Sequence, residues 1–175
     1  MNAEIKKILK YEKERNIRNM SAMHILKLII TSDPDWLRYK FIKYMRLSNY
    51  YGDKTLLGLY YLRKKNKLSF LLNYEISGKN IGPGLTIYHN GPVVINGNAV
   101  IGSNLILHGD NCIGNDGKTG LCPVIGNNVD VGVGAKIIGD VKIADNVTIG
   151  AGAVVVHDID REGVTVVGIP AKIVN

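Results

Sequence analysis

The sequence is poor in residues that staple or stiffen a chain. Its 175 residues include two cysteines, Cys112 and Cys122, and five prolines. Two cysteines give neither a disulfide framework nor a zinc spacing, so free thiols are expected. Apart from nine tyrosines, aromatic residues are few: two phenylalanines and one tryptophan. No apolar run approaches the ~20 residues that a membrane span requires. The opening stretch, MNAEIKKILKYEKE, is charged throughout and lacks the apolar segment of a secretory leader. These absences read as a cytoplasmic protein with reduced thiols.

Charge, tyrosine and glycine are unevenly spread. Before residue 78 there are 16 Lys or Arg against 7 Asp or Glu; after it, 6 against 8. Eight tyrosines precede that point, and 17 of the 20 glycines follow it. Two domains of different physics are expected: residues 1–75, α-helical, and residues 76–175. The basic residues fall within helical patterns that carry no nucleic-acid motif, so no nucleic-acid partner is expected.

The second part counts in sixes. Ile125, Val131, Ile137, Ile143, Ile149 and Val155 keep an unbroken register, and Ile95, Ile101, Leu107 and Ile113 keep the same beat upstream. Four residues after each member of the first series stands a small or β-branched residue: Val129, Ala135, Val141, Val147, Ala153 and Ile159. A helix repeats every 3.6 residues and a strand every 2, so a period of six is neither. It fits a short straight run, a turn at Gly, Asn or Asp, and another straight run. Three such runs close a coil of about 18 residues, and stacked coils bury one another's faces. A β-sandwich would need longer turns and less regular strands.

The first part reads as helices. Ile5, Ile8 and Leu9 form a stripe on one, and Ser21 can cap a second over 22–30. Ser32-Asp33-Pro34 opens a third, since proline lacks an N–H that the first turn would not use. Trp36, Leu37, Phe41, Tyr44 and Met45 lie near one face of it, with Arg38, Lys43 and Arg46 over much of the rest. A fourth covers 56–64, and the basic run 63–67 leads into the connector. Such a basic, aromatic segment suits packing on neighbouring subunits. It also suits peripheral docking on an anionic membrane face.

The hexads resemble the left-handed β-helix of the hexapeptide-repeat acyltransferases. The hand comes from that resemblance alone, because parallel crossovers are normally right-handed. The serine acetyltransferase group is similar from about Ile76 to the end of the sequence. The stretches that carry the likeness are Ile87 to Ile95 (IYHNGPVVI), Ala99 to Gly102 (AVIG), Pro123 to Gly126 (PVIG), Gly132 to Gly139 (GVGAKIIG) and Val166 to Val174 (VVGIPAKIV). The helices before them resemble, more faintly, those of acetyltransferases from surface-polysaccharide gene sets. The resemblance implies a mainly β fold: a left-handed parallel β-helix with a small N-terminal helical domain. It also implies direct acetyl transfer from acetyl-CoA to an acceptor hydroxyl, with no metal.

His89 stands where the family has its catalytic His, and an imidazole titrating near neutral pH suits a general base. The family places an Asp immediately before this His and an Arg-His pair before the proline of a later repeat. This chain has Tyr88 and Leu121-Cys122. Without those cations a serine carboxylate would lack a partner, so a sugar hydroxyl is the favoured acceptor and L-serine the alternative. The two residues inserted between the hexads at Ile87 and Ile95 should stack residue 87 beneath residue 107. His108 then lies one coil above Tyr88 and near His89, with Asp110 and Asn111 beside it; Tyr88, His108, Asp110, Asn111 and Cys122 are the candidates for acceptor binding.

The segment 114–120, GNDGKTG, breaks the apolar beat and reads as a loop. Its Gly-Lys-Thr lacks the spacing of a phosphate loop, although Lys118 could approach an acyl or phosphate group. By resemblance such a loop leaves the prism and helps form the site beside a neighbouring subunit. By the same resemblance CoA lies between adjacent prisms, against backbone near Gly134, Ala135, Gly152 and Ala153, with Lys172 and Lys136 as phosphate candidates. A homotrimer follows, with higher order open through the N-terminal helices. Two other classes compete. A metal-dependent hydratase needs three convergent His ligands, but His24 falls among the helices and His157 several coils from His89. A non-catalytic scaffold would explain the missing Asp and Arg-His, but not the retained His89 and Gly168-Ile169-Pro170-Ala171-Lys172.

Overall fold

The computed structural model describes residues 1–17 and 20–174. The chain divides into two compact units, 1–73 and 74–175. This division falls at Asn73, two residues before the expected residue 75. Tyr74 and Glu75 are in a strand paired with the β-helix, and Asn73, at φ 61°, caps the helix before them.

Among its described residues the first unit holds four helices: α1 (Ala3–Ile17), α2 (Ala22–Ile30), α3 (Pro34–Tyr51) and α4 (Leu56–Leu72). Ser21 caps α2 by accepting from the His24 N–H, and Asp33 caps α3 ahead of Pro34. α4 runs eight residues beyond the expected Lys64. Lys and Arg are good helix formers, so the basic run 63–67 extends the helix instead of ending it. Phe41, Ile42 and Met45 of α3 are fully buried. Arg46, expected among the solvent-facing residues, is buried too. Its guanidinium bonds the Glu12 carboxylate of α1 at 2.8 and 2.9 Å. Most of α2 is exposed, including Met23, Leu26 and Ile30.

The second unit is a triangular coil of short strands. They are β1 (Tyr74–Ile76), β2 (Thr86–Ile87), β3 (Val93–Ile95), β4 (Val100–Ile101) and β5 (Ile106–Leu107). Next come β6 (Asn111–Gly114), β7 (Val124–Ile125), β8 (Asp130–Val131), β9 (Lys136–Ile138) and β10 (Lys142–Ile143). Last are β11 (Thr148–Ile149), β12 (Val154–Val155), β13 (Thr165–Val167) and β14 (Lys172–Ile173). One face stacks β1, β3, β6, β9 and β12; a second stacks β4, β7 and β10; the third stacks β2, β5, β8, β11 and β13, with β14 at its edge. All pairings are parallel except β13 with β14, where the chain folds back on itself.

Every inward hexad residue foreseen is buried, from Ile95 to Val155, and so are the small residues four places on. Ile87 pairs with Leu107, so the two-residue insertion sits where the spacing placed it. Ile101 pairs with Ile125, a step of 24 instead of 18, because the segment between β6 and β7 adds an excursion to that coil. The turn from the second face to the third is an asparagine ladder. Asn104, Asn128 and Asn146 all have positive φ, and their amides bond in series at 2.8 and 3.0 Å. Asparagine tolerates that backbone and satisfies its neighbour, which keeps the coils in register.

Candidate active site

The turn from the third face to the first gathers the chemistry. Successive coils place there His89 and Asn90, then His108, Gly109 and Asp110, then Gly132 to Ala135, then Gly150 to Ala153, and finally Gly168 to Ala171. One edge of the prism thus carries His89 and His108 at one end and the Gly-Ile-Pro-Ala segment at the other.

His89 is exposed, and its backbone carbonyl accepts the Tyr74 hydroxyl at 2.9 Å. That bond ties the turn to β1. The next coil passes very close: a Cβ placed on Gly109, whose φ is 104°, would stand 3.3 Å from the His89 Cβ. Glycine at 109 therefore supplies both the left-handed backbone and the clearance. His108 lies above Tyr88, with ring centroids 5.0 Å apart. Its Nε2 meets Asp130 Oδ1 at 2.9 Å.

The other candidates are distributed unevenly. Asn111 is corrected from acceptor ligand to brace. It is 2% exposed, accepts from the Gly109 N–H, and donates to the carbonyls of Gly132 and Ala135. Asp110 is exposed, and its carboxylate stands 3.2 Å from Lys136 Nζ. That lysine also donates to the Asp110 carbonyl, so it is held within the chain and is a weaker phosphate candidate than the exposed Lys172 of β14. The side chains of Ala135 and Ala153 point into the core. The N–H groups of Gly134, Ala135, Gly152 and Ala153 all bond within the coils. The Ala135 and Ala153 carbonyls are engaged within the coils as well, by Asn111 and by the Lys136 N–H, which leaves the glycine backbone to face a ligand. With glycines at φ 74° and 67°, the edge is a smooth backbone track.

Cys122 is not brought to His89 within one chain. It lies in the excursion between β6 and β7, at the turn from the first face to the second. Partial burial pushes its thiol up, away from the reactive thiolate. The excursion is organised by Asp116, whose carboxylate accepts from the N–H groups of Lys118 and Thr119. These bonds hold that carboxyl below its usual range. Tyr74 and Asp130 escaped the sequence reading. Asp130 could have been found by carrying the stacking of residue 107 one coil further, across the longer step to residue 131. Among the described residues no cluster of His, Cys, Asp and Glu could hold a metal ion. Nor, among the described residues, is any helix long and apolar enough to cross a membrane.

No family model matches the chain. A serine acetyltransferase of Synechococcus elongatus is 39% identical over 99 residues, covering 55% of this chain and 40% of its own length. A candidate colanic acid biosynthesis acetyltransferase, WcaB, of Escherichia coli K12 is 40% identical over 72 residues, covering 40% of this chain and 44% of its own. The chain thus spans less than half the length of these curated relatives. Among solved structures, soybean serine acetyltransferase superposes with a TM-score of 0.79 at 25% identity, covering 99% of this chain and 70% of that one. The Neisseria gonorrhoeae enzyme gives 0.74 at 29% identity, covering 99% and 66%. A coil of the opposite hand could not superpose along its length, so the hand is left. By coil, hand and sequence likeness, the second unit is a left-handed β-helix of hexapeptide repeats of the kind found in the serine acetyltransferases.

Proposed function

We propose that the chain transfers the acetyl group of acetyl-CoA to a hydroxyl of a sugar, one destined for a surface polysaccharide or its precursor. The observation that carries this reading is the single prism edge that joins His89 to Gly168-Ile169-Pro170-Ala171-Lys172. Acetyl-CoA is a substrate here. Its extended arm would follow the glycine track, with Lys172 near a phosphate and the thioester beside His89. The His89 imidazole takes the acceptor O–H proton as the oxygen attacks the thioester carbonyl. The C–S bond then breaks, the acetyl ester forms, and the departing thiolate regains a proton from the imidazolium. Likeness to both the serine acetyltransferases and WcaB supports acetyl transfer.

The acceptor separates the two readings. Leu121 and Cys122 offer no cation to a serine carboxylate, and Lys136 is already engaged by Asp110. A thiol-release assay should therefore show turnover with hexoses or their glycosides and little with L-serine. Rapid acetylation of L-serine would restore the cysteine-biosynthetic alternative.

The assembly proposed is a homotrimer. Cys122 and His89 lie at different corners of one prism, so only a neighbouring copy could bring that excursion to His89. The exposed apolar residues of α2, in a unit rich in Lys and Arg, also favour contact with an anionic membrane face. Light scattering should give the mass of three copies, and vesicles containing phosphatidylserine should retain the chain where neutral vesicles do not. A monomer, or equal retention by both vesicles, contradicts the corresponding part.

A further inference from the structure

Beside His89 stands a second imidazole whose orientation is fixed. The His108 ring is held from two sides: Asp130 Oδ1 at 2.9 Å from Nε2, and the Tyr88 ring, whose centroid is 5.0 Å away at an interplanar angle of 53°. Both members of the His108–Asp130 pair remain partly open, with 34% and 39% of their side chains exposed. A carboxylate only accepts, so the Nε2 atom facing it carries the hydrogen. The neutral ring then presents a lone pair at Nδ1. A lone pair beside an aromatic ring receives an O–H donor. It offers nothing to a carboxylate.

His89 and His108 occupy neighbouring coils of the same edge, and the backbone that follows His108 passes close to His89, where a Cβ on Gly109 would stand 3.3 Å from the His89 Cβ. Two imidazoles on successive coils of one edge suit a molecule that carries two neighbouring hydroxyls. Resting on the sugar-acetylating reading above, we infer that Asp130 and His108 form a hydroxyl-binding dyad. His108 Nδ1 accepts the O–H adjacent to the one acetylated, and Asp130 is the positioning residue that keeps Nε2 protonated. The dyad thus selects vicinal diols over isolated hydroxyls. The reacting proton still goes to His89, and His108 only binds.

The test pairs an acceptor series with a spectroscopic readout on the full chain. Acetyl-CoA turnover is measured with methyl hexopyranosides and with their monodeoxy counterparts, which lack one neighbouring hydroxyl. The wild-type chain should prefer the diol about tenfold, chiefly through KM, as expected for one hydrogen bond between neutral groups. His108→Phe, which keeps a ring against Tyr88, and Asp130→Ala should lose that preference while binding acetyl-CoA as before. Asp130→Asn, whose amide oxygen can still accept from Nε2–H, should keep much of it. Imidazole 15N spectra should show the Nε2–H tautomer for His108 in the wild-type chain and a mixture in Asp130→Ala. A diol preference that survives in both His108→Phe and Asp130→Ala, or an Nδ1–H tautomer in the wild-type chain, overturns the dyad while leaving sugar acetylation standing. If the wild-type chain acetylates none of the glycosides, the sugar reading itself fails and the dyad fails with it.

Discussion

Replacing His89 with Ala should lower kcat by about 10²- to 10⁴-fold, the range a positioned general base contributes, and leave acetyl-CoA affinity nearly unchanged. His89 is exposed on a turn whose backbone is anchored by the Tyr74 hydroxyl at 2.9 Å. Its side chain fills no core space, so its removal costs the fold little. The glycine track proposed for the donor comes from Gly134, Gly152 and their neighbours, none of which touches the imidazole's chemistry. Loss should therefore fall on turnover and not on binding. Single-turnover kinetics and a titration with CoA would separate the two. Turnover within about threefold of wild type would remove His89 from the mechanism, because a base worth less than that is no base.

Replacing Arg46 with Met should destabilise the helical unit by about 3–5 kcal/mol, as expected when one partner of a buried ion pair is removed. Glu12 has no exposed surface and Arg46 is 8% exposed, yet their charged groups meet at 2.8 Å. Burial, with the Glu12 charge, also pushes the Tyr39 phenol above its ordinary range. Without the guanidinium, the buried carboxylate loses the charge that meets it at 2.8 Å. Urea unfolding followed by helical circular dichroism measures the loss. The double variant Glu12→Met with Arg46→Met should recover much of the stability, since the two effects are coupled through one contact. A single variant within about 1 kcal/mol of wild type would show that the pair contributes only what an exposed one does.

What could be read in the sequence followed from periodicity. The inward residues of the β-helix are spaced by a rule of six, and each proved buried, because a stacked coil has one arrangement that hides them all. The caps at Ser21 and Asp33 were legible for a similar reason: both are local chemistry between a side chain and the next turn. Arg46 was misplaced because charge predicts exposure unless a partner is known, and Glu12 is 34 residues away. The α4 boundary slipped because a run of lysines looks like a connector but forms helix well. Around the site, a fixed coil length placed His108 over Tyr88 correctly. It did not reach Asp130, since the excursion after β6 lengthens the next step. Asn111 was taken for a ligand from its residue type and its place beside His108; only the fold shows its amide bonded to three backbone groups.

In the proposed mechanism one prism edge serves donor and base together. A structure of the chain with CoA bound tests this most directly. The prediction is CoA along the Gly168 to Gly134 track, its phosphates toward Lys172 and its sulfur beside His89. CoA bound along another corner, or with its sulfur remote from His89, would contradict it.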